Sequence, residues 1–316
     1  LNTSIILMMT HKKTIPIIFF CSLLVLAMPS FAQKWNYDGL SDITGLAEIN
    51  VSAGASSFLG DIGGNKGVGG SFVKDFNPKT VRPLFGASAT LHLTKWAAVE
   101  AGFNFTQVNG ADSLINNTGD QERWRYYRNL SFRSPIAEGY IGAVFYPTMY
   151  FEKKFELRSL VPFVGVGIGI MHYKPQTQLN GSWIDLQPLS LEGQGFPEYP
   201  DRLPYKLTSM YIPASVGVKY YVNNQTAIST GFTFRLTTTD YIDDVSTTYI
   251  DPSLFDLHLT PENAILAKQL YSRSLTPWKV KPDIEKASSS NNDSYFNFFL
   301  TLSFRLKGDD GYNDPR

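Results

Sequence analysis

The side chains able to do chemistry in this chain are few, and their spacing suits structure better than catalysis. Four histidines stand at positions 11, 92, 172 and 258, with no interval that sets two of them on one metal ion. Ser88 and His92 share a parity in an extended segment, so a hydroxyl and an imidazole share a face. No nucleophile-elbow pattern surrounds them, and a plain hydrogen bond is the expectation. Gly165, Gly167 and Gly169 repeat like part of a dinucleotide loop. The apolar Val166 and Ile168 between them, with no helix following, place them inside a strand. Asp240, Asp243, Asp244 and Asp251 make the densest acidic stretch. It lacks the D-x-[DN]-x-[DN]-G order and closing Glu of a calcium loop, so turns capped by Asp side chains are expected. With 1 cysteine in 316 residues, no disulfide framework or thiolate cluster can form. No catalytic residue, metal ligand or cofactor is therefore expected.

The remaining charged residues are ordered by parity. Eight segments alternate between an apolar series and a small or polar one: 47–56, 84–93, 97–106, 137–147, 164–170, 211–220, 228–236 and 296–306. In the first, Ala47, Ile49, Val51, Ala53 and Ala55 alternate with Glu48, Asn50, Ser52, Gly54 and Ser56. In the last, Phe296, Phe298, Leu300, Leu302 and Phe304 alternate with Asn297, Phe299, Thr301, Ser303 and Arg305. Strands of about ten residues can cross a bilayer at a barrel tilt. Their connections alternate too. Short or moderate turns (Thr94-Lys95, 148–160, 223–225) exchange with long polar segments at 57–83, 107–136, 174–207 and 237–294. The expected fold is all-β, an eight-stranded antiparallel transmembrane barrel over 47–306 with long extracellular loops and both termini periplasmic. A soluble lipocalin-like barrel would turn its apolar series inward, and the polar series here cannot line an apolar pocket.

The polar parity sends Glu48, Glu100 and Glu138 into the lumen, opposite Lys219, Arg235, Arg305 and His92. Three carboxylates and three permanent cations can neutralise one another there, so a salt-bridged plug is expected rather than an ion path or an acid–base site. Trp96, Phe103, Phe105, Tyr150, Phe151, Tyr220 and Tyr221 lie near strand ends, where interfacial aromatic girdles are expected. In the last long loop, Thr260 as N-cap and Pro261 at the first turn open a short helix with Ile265, Leu266 and Leu270 as its apolar positions. It implies an ordered cap over the barrel.

Composition agrees with this reading. Lys and Arg total 28 against 28 Asp and Glu, which argues against a nucleic-acid partner. Residues 1–32 read as a secretory signal peptide: a basic His11-Lys12-Lys13 region, an apolar Ile15–Met28 run and Ser30-Phe31-Ala32 before the cleavage point. Pro16 and the shortness of the run argue against an anchor, and Phe20 before Cys21 argues against a lipoprotein. Residues 33–46 then form a periplasmic leader and 307–316 a periplasmic tail.

Two stretches resemble a known family. The run Arg128-Asn-Leu-Ser-Phe-Arg-Ser-Pro-Ile-Ala-Glu138 resembles a motif of the PorG-like outer-membrane barrels of Bacteroidetes. The acidic stretch from Thr239 to Ser246, followed by Tyr249 and Asp251, resembles the segment after their seventh strand. Glu48 leading to Phe58-Leu59-Gly60-Asp61-Ile62, and the Phe-rich closing strand, fit the same pattern. The resemblance implies a component of the type IX secretion system, a barrel that tethers the periplasmic ring lipoprotein and its partner to the outer membrane. Its expected partners are therefore outer-membrane lipid and that ring. The docking surface would then be periplasmic, with Lys153, Lys154 and Arg158 in the charged 152–158 turn as candidates. The alternative is a surface-binding or adhesion barrel acting through its long loops.

Overall fold

The computed structural model describes residues 46–63, 77–115, 120–151, 160–223, 225–276, 280–287 and 291–306. Among them are ten strands: β1 (Ala47–Leu59), β2 (Arg82–His92), β3 (Ala97–Ala111), β4 (Ser131–Phe145), β5 (Leu160–Tyr173), β6 (Gln176–Leu179), β7 (Ser182–Asp185), β8 (Thr208–Tyr221), β9 (Thr226–Thr237) and β10 (Ser294–Arg305). Four helices accompany them: α1 (Asp120–Arg128), α2 (Pro147–Phe151), α3 (Leu254–His258) and α4 (Pro261–Leu270). The strands form one sheet, and β3–β4 pairing closes eight of them into an antiparallel barrel. Around the barrel each strand pairs with its neighbours in the order β1, β2, β3, β4, β5, β8, β9, β10 and back to β1. Closure leaves the wall no unpaired edge, which is what a strand-built span in hydrocarbon requires.

The alternation read from the sequence is the alternation of the wall. Glu48 and Asn50 of β1 are buried while Ile49 and Val51 are exposed. On β5, Val164, Val166, Ile168 and Ile170 all face outward. The outer surface is thus apolar and the interior polar, the inverse of a soluble barrel, as expected of a wall solvated by lipid. Gly165, Gly167 and Gly169 line the inside. A Cβ on Gly169 would fall 2.4 Å from the Tyr211 ring, so the small residue makes room for an aromatic side chain.

The structure departs from expectation in several places. β3 runs to Ala111 and β4 begins at Ser131, so this part of the wall stands taller than the apolar alternation alone indicates. Arg133 and Pro135 hid the start of β4, yet both pair in register, with Asn109 and Gln107. The hairpin β6–β7 branches from β4 through the Arg133–Gln176 pair and has no counterpart in the eight segments. Of the girdle aromatics, Phe103, Phe105, Tyr150 and Phe151 are exposed, but Tyr221 is fully buried and turned into the lumen. Its parity is that of Lys219, which also faces inward. The signal peptide, the leader up to residue 45, the tail and the docking candidates Lys153, Lys154 and Arg158 lie outside the described residues.

At the long-loop end the connections fold into a cap. Helix α4 starts as anticipated: the Thr260 hydroxyl accepts from the Asn263 amide and Pro261 occupies the first turn. Its inner face differs slightly from the expectation, because Ala264, Ala267 and Leu270 are buried while Ile265 is exposed. Ala264, Ala267 and Leu270 join Leu186, Leu189, Leu191, Phe196, Ile250 and Phe255 in a hydrophobic core whose described residues all belong to the long connections. Phe255 is fully buried within it. Phe255→Ala is expected to cost about 3–5 kcal/mol of cap stability through lost burial and the cavity left behind. Hydrogen exchange over 254–270 should accelerate while the barrel strands keep their protection.

Candidate functional site

The lumen is organised in layers set by register. At the short-turn end, Glu48, the second residue of β1, lies opposite Arg305 of β10 and Thr90 of β2. Its carboxylate is fully buried, accepts from Lys219 Nζ, and accepts from Arg305 Nε at 3.1 Å. His92 Nε2 stands 3.3 Å from Glu48 Oε1. The His92 ring stacks on Tyr146, with centroids 5.6 Å apart. The buried Tyr221 ring lies beneath both cations, 5.3 Å from Lys219 Nζ and 4.6 Å from Arg305 Cζ. An apolar cluster of Ala98, Tyr146, Met149, Val161, Tyr221 and Ala227 closes this end.

A second ion pair crosses the barrel nearer the cap. Glu138 of β4 takes a bidentate grip from Arg235 of β9, Nε to Oε2 at 2.7 Å and Nη2 to Oε1 at 2.5 Å. Tyr295 donates to Oε2 at 2.5 Å and Asn104 to Oε1 at 2.7 Å. Arg235 also donates to Asn297. This matched, hydrogen-bonded arrangement is what lets a buried pair offset its desolvation. Phe58, Val108, Phe132, Ile136, Met171, Tyr173 and Tyr211 belong to the apolar cluster that continues from here into the cap.

Between the layers lies a polar cavity of about 110 Å³ lined by Asn50, Glu100, Tyr140, Ser215 and Thr301 among others. Here one expectation is corrected. Glu100 pairs with no cation among the described residues; it accepts from Tyr140 at 2.6 Å and from Thr90 at 2.9 Å. The cations are claimed instead by Glu48 (two) and Glu138 (one), because the register carries Lys219 and Arg305 to the level of Glu48. Ser88 accepts from Asn50 Nδ2 at 3.0 Å, while His92 is spent on Glu48 and Tyr146. The two do not form a nucleophile–base pair.

The cap holds a polar network that sequence reading largely missed. Asp112 takes both Nε and Nη2 of Arg128, at 2.8 and 2.9 Å, and the amides of Gly63 and Leu130 at 3.1 and 3.0 Å. Arg128 reaches on to the carbonyls of Lys286 at 2.6 Å and Asp61 at 2.7 Å. Three loops are thereby held by one guanidinium. Glu192, fully buried, accepts from the amides of Ser246 and Thr247 and pairs with Lys286 at 3.3 Å. Arg202 ties the Glu192 carbonyl to Thr248. The only advance signal was the Arg128 and Asp240–Asp251 stretches; isolated Asp112, Glu192 and Lys286 had none.

The acidic stretch does cap turns, as expected. Asp243 accepts from the Ile62 and Val245 amides at 3.1 and 3.0 Å, and Asp251 from the Ser253 amide at 2.9 Å. Asp293 adds the Ile242 amide at 2.8 Å. Asp244 takes the Tyr205 hydroxyl at 2.5 Å, and Asp240 that of Ser246 at 2.7 Å. Burial pushes the Asp240 and Asp244 carboxyls up to about 7. Asp61 and Glu192 add repulsion at Asp240; at Asp244, Lys286 opposes the rise and Glu192 adds to it. Burial likewise raises Asp243 and Asp293.

A carboxyl whose folded pKa lies above its unfolded value favours the closed cap at low pH and loses that contribution as pH rises from about 4 through about 7. The cap should therefore open more readily at pH 8 than at pH 5. Hydrogen exchange over 238–250, corrected for intrinsic rates, measures it, and an Asp240→Asn, Asp244→Asn variant should flatten the dependence.

No family model matches the chain, and no curated protein matches it in sequence. Among solved structures, it is similar to the outer membrane protein OprG from Pseudomonas aeruginosa, at 10% identity and TM-score 0.37, over 86% of this chain and 100% of that one. It is also similar to the E. coli outer membrane protein W, at 13% identity and TM-score 0.32, over 83% of this chain and 98% of that one. A third likeness is to Ail, the attachment invasion locus protein of Yersinia pestis solved with the heparin analogue sucrose octasulfate, at 8% identity and TM-score 0.36, over 83% and 99% of the respective chains. The barrel assignment itself rests on the closed strand pairing of this chain.

Proposed function

We propose that the chain is an outer-membrane barrel that acts by contact through its ordered cap, without catalysis and without an open pore. The observation that carries this reading is the second hydrophobic core, whose described residues all come from the 174–207 and 238–293 connections. A core of their own makes the loops a preorganised surface, which lowers the ordering cost of binding. Two ion-pair layers, with an apolar cluster beyond each, fill the lumen on either side of its polar cavity, which supports a barrel without an open pore.

The second reading is the type IX secretion tether, favoured by the resemblance of the Arg128–Glu138 and Thr239–Asp251 stretches. In the fold, Arg128, Asp243 and Asp244 knit the cap and Glu138 pairs in the lumen. The shared motif would accordingly preserve cap and plug, while ring attachment would fall to the periplasmic side. A gentle-detergent pull-down from native membranes separates the readings, using two variants of the tagged barrel. Contact through the cap expects partners to be lost when 254–276 is trimmed and kept when Lys153, Lys154 and Arg158 are neutralised. A tether expects the reverse, with the ring proteins as the partners lost.

A further inference from the structure

On the outward face of β4 the exposed Ile141 and Ala137 give way to Pro135 and then Arg133, while the intervening Phe132, Ser134 and Ile136 are buried. On β5 the exposed Ile170 is followed on the same face by His172, and Lys174 comes directly after the strand. From Ala137 to Arg133 the strand advances by about 13 Å, roughly 10 Å along the membrane normal at barrel tilt. That carries Arg133 past the apolar band to the depth of lipid headgroups, within reach of a long side chain bending back toward the interface.

The local geometry is organised. The Arg133 guanidinium lies 3.7 Å from the Trp183 ring centroid, and its Nε donates to Gln176 Oε1 at 2.9 Å. Gln176 donates to Asp185 at 2.6 Å, and Asp185 pairs with Lys174 at 2.8 Å. The hairpin β6–β7 thus holds Arg133 by one nitrogen and one ring face. Its two Nη groups make no hydrogen bond among the described residues. Two permanent cations stand against one carboxylate, so the cluster has a net positive charge.

Building on the reading of the barrel as membrane-spanning, we propose that Arg133, Lys174 and Trp183 form an outward-facing site for the phosphate of an anionic lipid headgroup in the adjoining leaflet. The open edge of the guanidinium matches a phosphate with two parallel donors, Lys174 adds a point charge, and Trp183 is the ring type that settles at a membrane interface. The site continues the lipid-facing wall upward, so a lipid whose chains lie on Ile168 and Ile170 places its headgroup at the cluster.

The test is native mass spectrometry of the full folded chain released from nanodiscs containing phosphatidic acid and phosphatidylcholine, with inorganic phosphate as a competitor. Phosphatidic acid should be retained in preference to phosphatidylcholine, and Arg133→Gln with Lys174→Gln should reduce its retention by roughly tenfold or more. Trp183→Leu, which keeps both charges, should produce a smaller loss. Heat-modifiable migration confirms that each variant is folded. Equal retention of both lipids, an unchanged double variant, or inorganic phosphate competing as well as the lipid overturns the assignment. A wild-type barrel that inserts and shows no lipid preference sinks this inference alone; one that fails to enter bilayers sinks the membrane reading with it.

Discussion

Glu138→Ala is expected to be the most damaging single change in the lumen, costing about 3–5 kcal/mol. The carboxylate receives Arg235 through two nitrogens, with Tyr295 and Asn104 filling its remaining lone pairs. Removing it strands a buried guanidinium under an apolar cluster, together with a buried tyrosine hydroxyl. Glu138→Gln should cost less, because an amide oxygen still accepts from Tyr295 or Asn104. A Glu138→Met, Arg235→Met double variant should recover most of the loss, since the penalty comes from the unpaired charge. Urea titration of lipid-reconstituted barrel, followed by the heat-modifiable gel shift, reads all three. Equal destabilisation by the single alanine and the double methionine variant would mean that the pair itself stabilises the barrel beyond its mutual neutralisation.

Asp112→Ala should be comparably severe but confined to the cap. It leaves Arg128 without its carboxylate and the Gly63 and Leu130 amides without an acceptor. A buried charge and two buried donors lose their partners together, which is expected to cost about 3–5 kcal/mol. Hydrogen exchange should rise across 123–130 and 280–287, the segments Arg128 joins, while 97–106 of β3 stays protected. Arg128→Lys should fail to rescue the wild-type pattern, because an ammonium cannot reproduce a fork that binds Asp112 twice and two separate carbonyls. An exchange pattern unchanged in Asp112→Ala would show that the cap is held by its hydrophobic core alone.

The barrel was legible because lipid and lumen impose opposite chemistry on alternate residues. Ile49 against Glu48, or Ile228 against Ser229, is a local signal requiring no knowledge of partners. The lumen charges were legible as a set, whereas their pairing was not. Register decides that Lys219 and Arg305 both meet Glu48 and that Glu100 receives the hydroxyls of Tyr140 and Thr90. Tyr221 was misplaced because strand-end aromatics look alike on either face, and only the parity shared with Lys219 distinguishes them. The cap was legible where capping chemistry is local, at Thr260 and in the Asp243 turn. Asp112, Glu192 and Lys286 meet distant partners only through the folded loops, as Lys286 O does with Arg128 at a separation of 158, and no periodicity announces such contacts.

The most direct test of the central claim is ion efflux from proteoliposomes carrying a measured amount of folded barrel. With the lumen closed by the Glu48 and Glu138 layers, potassium efflux should match that of protein-free vesicles at every protein-to-lipid ratio. Efflux that grows in proportion to the incorporated barrel would contradict a sealed lumen and return the chain to the class of pores.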